Sequence, residues 1–183
     1  MANSFDANAG LFILDTAYVL VDRPMKIKKV VLYPNAAGDS CEIQSYNPEA
    51  TAKATMDYKA VTVTGGNQIA STGNFETAEV AAGDIIKIYA SDTGNNNGKY
   101  VVSARSDDNT IVVGGSEWDT TPLSNEAGKY YSWKIITPYT SVPLLGPTTD
   151  TCEVQLDWGE GFWVPNLILK SLSTSAKVYI YYA

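Results

Sequence analysis

The sequence predicts an all-β protein, a jelly-roll-like β-sandwich with a small β-barrel inserted into it. Three observations predict that class. β-Branched and aromatic runs recur at roughly 10-residue spacing, each bounded by Gly, Asn or Asp, which is the rhythm of sandwiches and barrels. Helix signals are nearly absent. One six-residue pattern occurs twice, before and after a central segment with its own sequence of strands and turns.

The first strong run, Lys26 to Tyr33, begins alternating and ends apolar before Pro34. Alternation places Lys26 and Lys28 on one face and Ile27 on the other. Asn47-Pro48-Glu49 is the best helix signal, an N-cap followed by Pro and an acid in the first turn. Ala50 to Met56 fits two helical turns or an alternating strand, and the cap tips the expectation to a short helix or an irregular connection. Ala60-Val61-Thr62-Val63-Thr64 alternates and stops at Gly65-Gly66. Asp84 to Tyr89, Lys99 to Ser103 and Thr110 to Val113 are three further runs. Thr93-Gly94-Asn95-Asn96-Asn97-Gly98 joins the first two, and Ser106-Asp107-Asp108-Asn109 joins the last two. Asn and Gly tolerate positive φ, so both connections read as hairpin loops and residues 84–113 as a three-stranded meander. Glu153 to Leu156, Asn166 to Leu169 and Lys177 to Tyr182 supply the late strands. In the last of these, Tyr179 and Tyr181 alternate with Val178, Ile180 and Tyr182. One face would belong to the core and the other to an interface, since tyrosine offers an apolar body with a polar tip; the plainer reading is a terminal strand packed in the sandwich.

The repeated pattern is Asp39-Ser40-Cys41-Glu42-Ile43-Gln44, echoed by Asp150-Thr151-Cys152-Glu153-Val154-Gln155. In both copies Cys and the branched residue face a core while Glu and Gln face out. The echo predicts two equivalent strands of one outer domain with an insertion between them. The outer sandwich takes residues 1–57 and 136–183, and the barrel takes 58–135. Their net charges are −4 and −3, so neither is a basic platform.

Composition sets the chemical limits. The chain has 183 residues, a net charge of −7, two cysteines and no histidine. At this length roughly 70% of the chain's surface can be buried, so the core needs neither disulfides nor a metal. The missing histidine removes Ser-His-Asp and Cys-His nucleophile systems and histidine-ligated metals. Two cysteines cannot build a four-thiolate site. The acidic balance argues against the phosphate contacts that dominate nucleic-acid binding. Met1 to Gly10 carries no basic residue and no long apolar run, so it does not read as a secretion signal. No stretch approaches the ~20 apolar residues that span a bilayer. The expectation is a soluble chain made in a cytoplasm, with Cys41 and Cys152 as thiols rather than a bridge.

Residues 75–113 carry a familiar pattern: Phe75, then Val80-Ala81-Ala82-Gly83-Asp84-Ile85-Ile86-Lys87-Ile88, then Asn96-Asn97-Gly98-Lys99-Tyr100-Val101-Val102, then Asn109-Thr110-Ile111-Val112-Val113. This resembles a small β module of tailed-bacteriophage virion structural proteins, in which Gly83-Asp84 opens a strand and Asn97-Gly98 makes the hairpin. Arg23 to Leu32 with Gly38-Asp39 resembles the opening of small phage β-sandwich proteins. Phe162 to Leu169, Ser173 to Ser175 and Val178 to Tyr181 resemble their closing hairpin. The matches touch about half of the chain. They imply a virion component of the capsid decoration (cement) type, and they mark tail proteins alike. They bring no catalytic residues.

Few constellations offer chemistry. Asp107-Asp108, Glu117/Asp119 and Asp157/Glu160 are the nearest carboxylate pairs. Only Trp158-Gly159-Glu160-Gly161-Phe162-Trp163 sets carboxylates beside aromatic platforms, the combination a sugar site needs. It reads first as a glycine-rich turn whose aromatics cover the sandwich end. Asp92 to Gly98 departs from a calcium loop at the glycine position and at Ser103. No phosphate-binding glycine loop and no nucleophile elbow occur.

The expectation is therefore a protein without enzymatic activity, metal or cofactor, residing on the capsid surface of a virion after synthesis in the host cytoplasm. Its partners are the major capsid protein and itself, as a trimer or dimer, with no nucleic acid and no membrane. Phe5, Leu11 and Phe12 are candidate anchors of an N-terminal arm that orders on a neighbour. Lys26 and Lys28, in the only basic cluster, are candidate contacts to an acidic partner surface. Trp158 and Trp163 are candidate burial or partner contacts. Alternative roles are a tail or head–tail component, and a carbohydrate-binding module using the two tryptophans.

Overall fold

A computed structural model describes residues 3–6, 10–115, 122–151 and 153–183. The chain is all-β and divides into two compact units, residues 1–45 with 139–183, and residues 46–138. The division falls outside the boundaries that the sequence pattern suggested. Residues 46–57 and 136–138 belong to the barrel unit, because one continuous strand, Ala54–Thr64, pairs along another, Glu126–Ile136.

The outer unit holds β1 (Ser4–Asp6), β2 (Leu11–Leu14), β3 (Val19–Val21), β4 (Met25–Tyr33) and β5 (Cys41–Ser45) from the first half of the chain. After the second unit come β12 (Tyr139–Thr140), β13 (Val154–Val164), β14 (Leu167–Leu172) and β15 (Lys177–Tyr182). They form a five-stranded sheet, β1-β2-β15-β4-β13, and a four-stranded sheet, β12-β5-β14-β3. Every pairing is antiparallel. Both sheets send residues into one buried cluster, among them Phe12, Ile27, Val30, Val178 and Ile180 from the first and Val21, Ile43 and Leu169 from the second. The chain leaves this unit after Ser45 and returns at Tyr139, and those two residues are register partners. The insertion therefore occupies a hairpin position.

The second unit contains β6 (Ala54–Thr64), β7 (Gln68–Ala70), a single helical turn α1 (Asn74–Thr77), β8 (Ile85–Ser91), β9 (Gly98–Arg105), β10 (Thr110–Val113) and β11 (Glu126–Ile136). Its six strands close into a barrel in the order β10-β7-β6-β11-β8-β9. The core is packed on Trp133, Tyr131, Phe75 and branched residues, with the Phe75 and Trp133 ring centroids 5.5 Å apart. Strands β8, β9 and β10 form the antiparallel meander read from the turn residues. Gly83 (φ 93°) and Asp84 open β8, where the Asp84 carboxylate accepts the Ala81 N–H at 2.9 Å and the Lys53 ammonium at 3.2 Å.

One local expectation is met in its second form and another is corrected. The Asn47 signal makes a turn, with its side-chain oxygen accepting the Glu49 N–H at 3.0 Å, and an irregular connection rather than a helix follows as far as Lys53. Lys53 N–H already bonds to Ile135 C=O at 2.7 Å, so pairing with β11 draws the chain into a strand and overrides the cap. The glycine-rich segment Trp158 to Trp163 is no turn but the middle of β13. Its register against β4 jumps between Asp157, opposite Lys29, and Phe162, opposite Ile27. The extra residues bulge out, with Gly159 at φ 57° and Gly161 at φ 79°. A Cβ on Gly161 would meet the Ile27 carbonyl oxygen at 2.5 Å, so this close crossing requires glycine.

Candidate functional site

The outward face of the five-stranded sheet carries the candidate site. Alternation along β15 and β4 turns Val178, Ile180, Val30 and Leu32 inward and leaves Tyr179, Tyr181, Lys29 and Tyr33 outward. Register arranges them in rows across the sheet: Ile13, Tyr179, Val31 and Gln155 in one, Leu11, Tyr181, Lys29 and Asp157 in the next. Tyr33 meets Tyr179 edge-on, with centroids 4.6 Å apart, and the Lys29 ammonium lies 5.9 Å from the Tyr181 ring centroid. Val31, the register partner of Tyr179, is 1% exposed although it faces outward. Burial and a hydrogen bond to Glu153 push the Tyr33 phenol up.

The predicted contact residues distribute unevenly around this face. Trp163 pairs with Lys26 at its rim and is 68% exposed. Lys28 is exposed and Lys26 partly so, on the side opposite fully buried Ile27. Trp158 is half-buried against the core and meets Phe162 edge-on at 5.0 Å. The bulge thus sends one tryptophan down onto the unit and leaves the other bare. Leu11 is half-buried in β2, opposite Tyr181.

Phe12 is not an anchor for a neighbour. It is fully buried in its own core, stacked on Tyr182 at 4.9 Å with the Arg23 guanidinium 5.2 Å above its ring. The alternation of β2 requires this, since Phe12 and Leu14 share its inward side. The Phe5 side chain lies outside the described residues, as do residues 1–2 and 7–9; Ser4–Asp6 pairs with β2 of its own chain. The echoed segments are not equivalent strands either. β5 lies inside the four-stranded sheet and β13 at the edge of the five-stranded one. Cys152 lies outside the described residues, while Cys41 is a buried free thiol pushed up to about 12 by burial.

Two of the carboxylates considered for catalysis bond to nearby backbone. Asp107 accepts the Asn109 N–H at 2.7 Å in its loop and Asp157 accepts the Gly159 N–H at 2.8 Å in the β13 bulge. Glu117 and Asp119 lie outside the described residues. Asp92 of the suspected calcium loop accepts the Tyr130 N–H at 3.0 Å. Asn96 of that loop is fully buried and ties the loop to β11, accepting from Ser124 N–H at 2.7 Å and donating to the Tyr131 hydroxyl at 2.6 Å. Glu126 bonds to both Tyr131 and Thr93. Burial first, and then the Glu126 carboxylate, push the Tyr131 phenol up.

Sequence reading missed a second group, Tyr58, Tyr89 and Tyr130 on the barrel exterior, exposed by 70%, 40% and 41%. Nothing local marks Tyr58 and Tyr89, because bulges set by pairing with neighbouring strands decide which way they point; Tyr130 points outward by alternation with buried Tyr131. In comparisons with known proteins, no family model, no curated protein and no solved structure matches the chain.

Proposed function

We propose that the chain is a structural virion protein that binds the outer surface of a phage head and stabilises the capsid lattice. The observation that carries this reading is the outward face of the five-stranded sheet. Three tyrosines, the lysines of β4 and a bare tryptophan stand there on an antiparallel sheet. That composition, aromatic with cationic edges, is what protein interfaces use for anchoring. Lys26, Lys28 and Lys29 give the face a positive rim on a chain that is acidic as a whole, which suits an acidic patch on a capsid subunit.

The fold reading that accompanies this function is a jelly-roll sandwich. Lettering β2, β3, β4, β5, β12, β13, β14 and β15 from B to I turns the sheet orders into B-I-D-G and F-E-H-C. That is the order of two interlocked Greek keys, an architecture recurrent in viral capsid and lectin domains. The barrel enters between E and F. Sheet edges at β1, β13, β3 and β12 want covering, which favours a closed trimer or dimer on the shell. Binding only the mature lattice would stabilise it by about 2.7 kcal/mol per site at 100-fold excess over Kd. No reaction is assigned to the chain.

Co-sedimentation of the purified protein with expanded heads and with isolated tails tests the proposal. Saturable binding to heads alone is expected, with at least a tenfold loss for Trp163→Ala or for Lys26→Glu with Lys28→Glu. Binding to tails alone, or to neither, overturns it.

A further inference from the structure

We propose that the barrel carries a binding site for a neutral carbohydrate, built on Tyr58 and Tyr130. The proposal is independent of the virion reading and of the tryptophans of β13.

The site begins with an irregularity shared by three strands. On β11, Ser132 lies where the register of both neighbours shifts. Asp57 and Tyr58 of β6 bulge on one side, and Tyr89 of β8 bulges on the other. Tyr58 sits at φ 53°, a left-handed conformation that costs a non-glycine residue about 1–2 kcal/mol. Of the described non-glycine residues with positive φ, it alone lies inside a strand. Its N–H donates to Ser132 Oγ at 3.0 Å, which holds the bulge closed. A strained backbone that presents a 70% exposed aromatic ring is an arrangement that folding alone does not favour.

The strain positions the ring. Tyr58 stacks on Tyr130 with centroids 4.6 Å apart and planes 10° from parallel. Tyr130 backs one face of Tyr58, and the exposure leaves the other to solvent. Next to it, the Tyr89 hydroxyl bonds to Asp57 and the Lys134 ammonium lies 5.8 Å from the Tyr89 centroid. On the other flank, Ala60 is the register partner of Tyr130. Ala60 also lines a depression of about 200 Å³ with Thr62, Ala70, Ser71, Asn109 and Gly128. These residues are small, and Thr62, Ser71 and Asn109 give the hollow a polar rim. Typical ligand pockets run from about 300 to 1,000 Å³, so the hollow suits a single small ring beside the aromatic wall.

Charge selects among ligands that stack on aromatics. A nucleic acid needs an excess of cations, because phosphate contacts dominate its affinity. Residues 46–138 hold 7 basic and 11 acidic side chains, and Asp57 and Asp92 stand at the site itself. A neutral sugar presents a C–H face to the tyrosine ring and hydroxyls to the carboxylate and the polar rim, with no charge to repel.

The test uses the full chain on an array of neutral microbial oligosaccharides, with hits measured by titration calorimetry. At least one saccharide is expected to bind, and Tyr130→Ala is expected to weaken it at least tenfold. Tyr58→Gly is the decisive variant. Glycine tolerates φ 53°, so this variant is expected to fold at least as stably as the parent while losing binding at least tenfold. Trp163→Ala is expected to bind as the parent does. The proposal is overturned if no saccharide binds, if Tyr58→Gly retains affinity, or if an oligothymidylate binds in place of every sugar.

Discussion

The outer unit ends its sheets on β1, β13, β12 and β3, whereas the barrel has no end strand, because β9 pairs with β10 and closes the ring. The outer unit is assembled from two stretches of chain separated by the whole barrel; the barrel is one contiguous stretch, 46–138. Two irregularities stand in contrast across that difference. The outer unit also shifts register between β14 and β5 and between β15 and β4, but its glycine-bent bulge lies on β13, an end strand. The barrel, which also shifts between β10 and β9, places two bulges beside β11, paired on both sides, and sets tyrosines there. An edge bulge blunts further pairing. A bulge in a closed ring has no such task, which leaves presentation of side chains as its effect.

The largest expected effect separates the two units. Trp133 is fully buried in the barrel core, and Trp133→Ala should destabilise that unit by about 3–5 kcal/mol. Calorimetry should then show the barrel transition moving far below that of the outer unit. A single transition that shifts as a whole would mean that the two units unfold as one. Asn96→Ala should act on the barrel alone, by about 1–3 kcal/mol, because it strips partners from Ser124 and Tyr131.

The edge bulge offers a sharper contrast within the outer unit. Gly159 and Gly161 share positive φ, but only Gly161 has a carbonyl oxygen 2.5 Å from where a Cβ would stand. Gly159→Ala should cost about 1–2 kcal/mol for the backbone alone. Gly161→Ala should cost more, and it should also weaken head binding, because the bulge aims Trp163. Equal denaturation midpoints for the two variants would mean that the bulge yields freely and sets nothing.

What the sequence revealed follows the same division between local and non-local causes. The meander was legible because Asn-Gly and Asp-Asn turns announce themselves and β-branched runs lie between them. The outward positions of Lys26, Lys28, Tyr179 and Tyr181 were legible because alternation has a period of two; those of Lys29 and Tyr33 were not, since Ile27 and Val30, three apart, are both buried and the phase shifts between them. Phe12 was misread as part of an arm, since a four-residue strand carries too little pattern to show its inward side. Trp158 to Trp163 was misread because glycines at positive φ serve turns and bulges equally. Tyr58 was invisible: its orientation is fixed by Ser132, seventy-four positions away in the chain.

The smallest effect tests how the barrel's loop is held to β11. Burial alone would raise Glu126, but hydrogen bonds from Thr93, Tyr131 and Asn96 and the charge of Lys129 prevail and hold it below the ordinary glutamate range. A folded pKa below the unfolded value of about 4.3 means that the ionised form stabilises the fold. That stabilisation is complete above the unfolded pKa and disappears as pH falls through the folded one. Below both values the carboxyl is protonated in either state and contributes nothing. Glu126→Gln should therefore be less stable than the parent at pH 7, and the gap should narrow as the solution is acidified below about pH 4. The transition of the outer unit, which lacks this residue, serves as the internal reference and should move alike in both proteins. Barrel stabilities of parent and variant that stay a constant distance apart from neutral to acid pH would show that the Glu126 charge does not hold the loop.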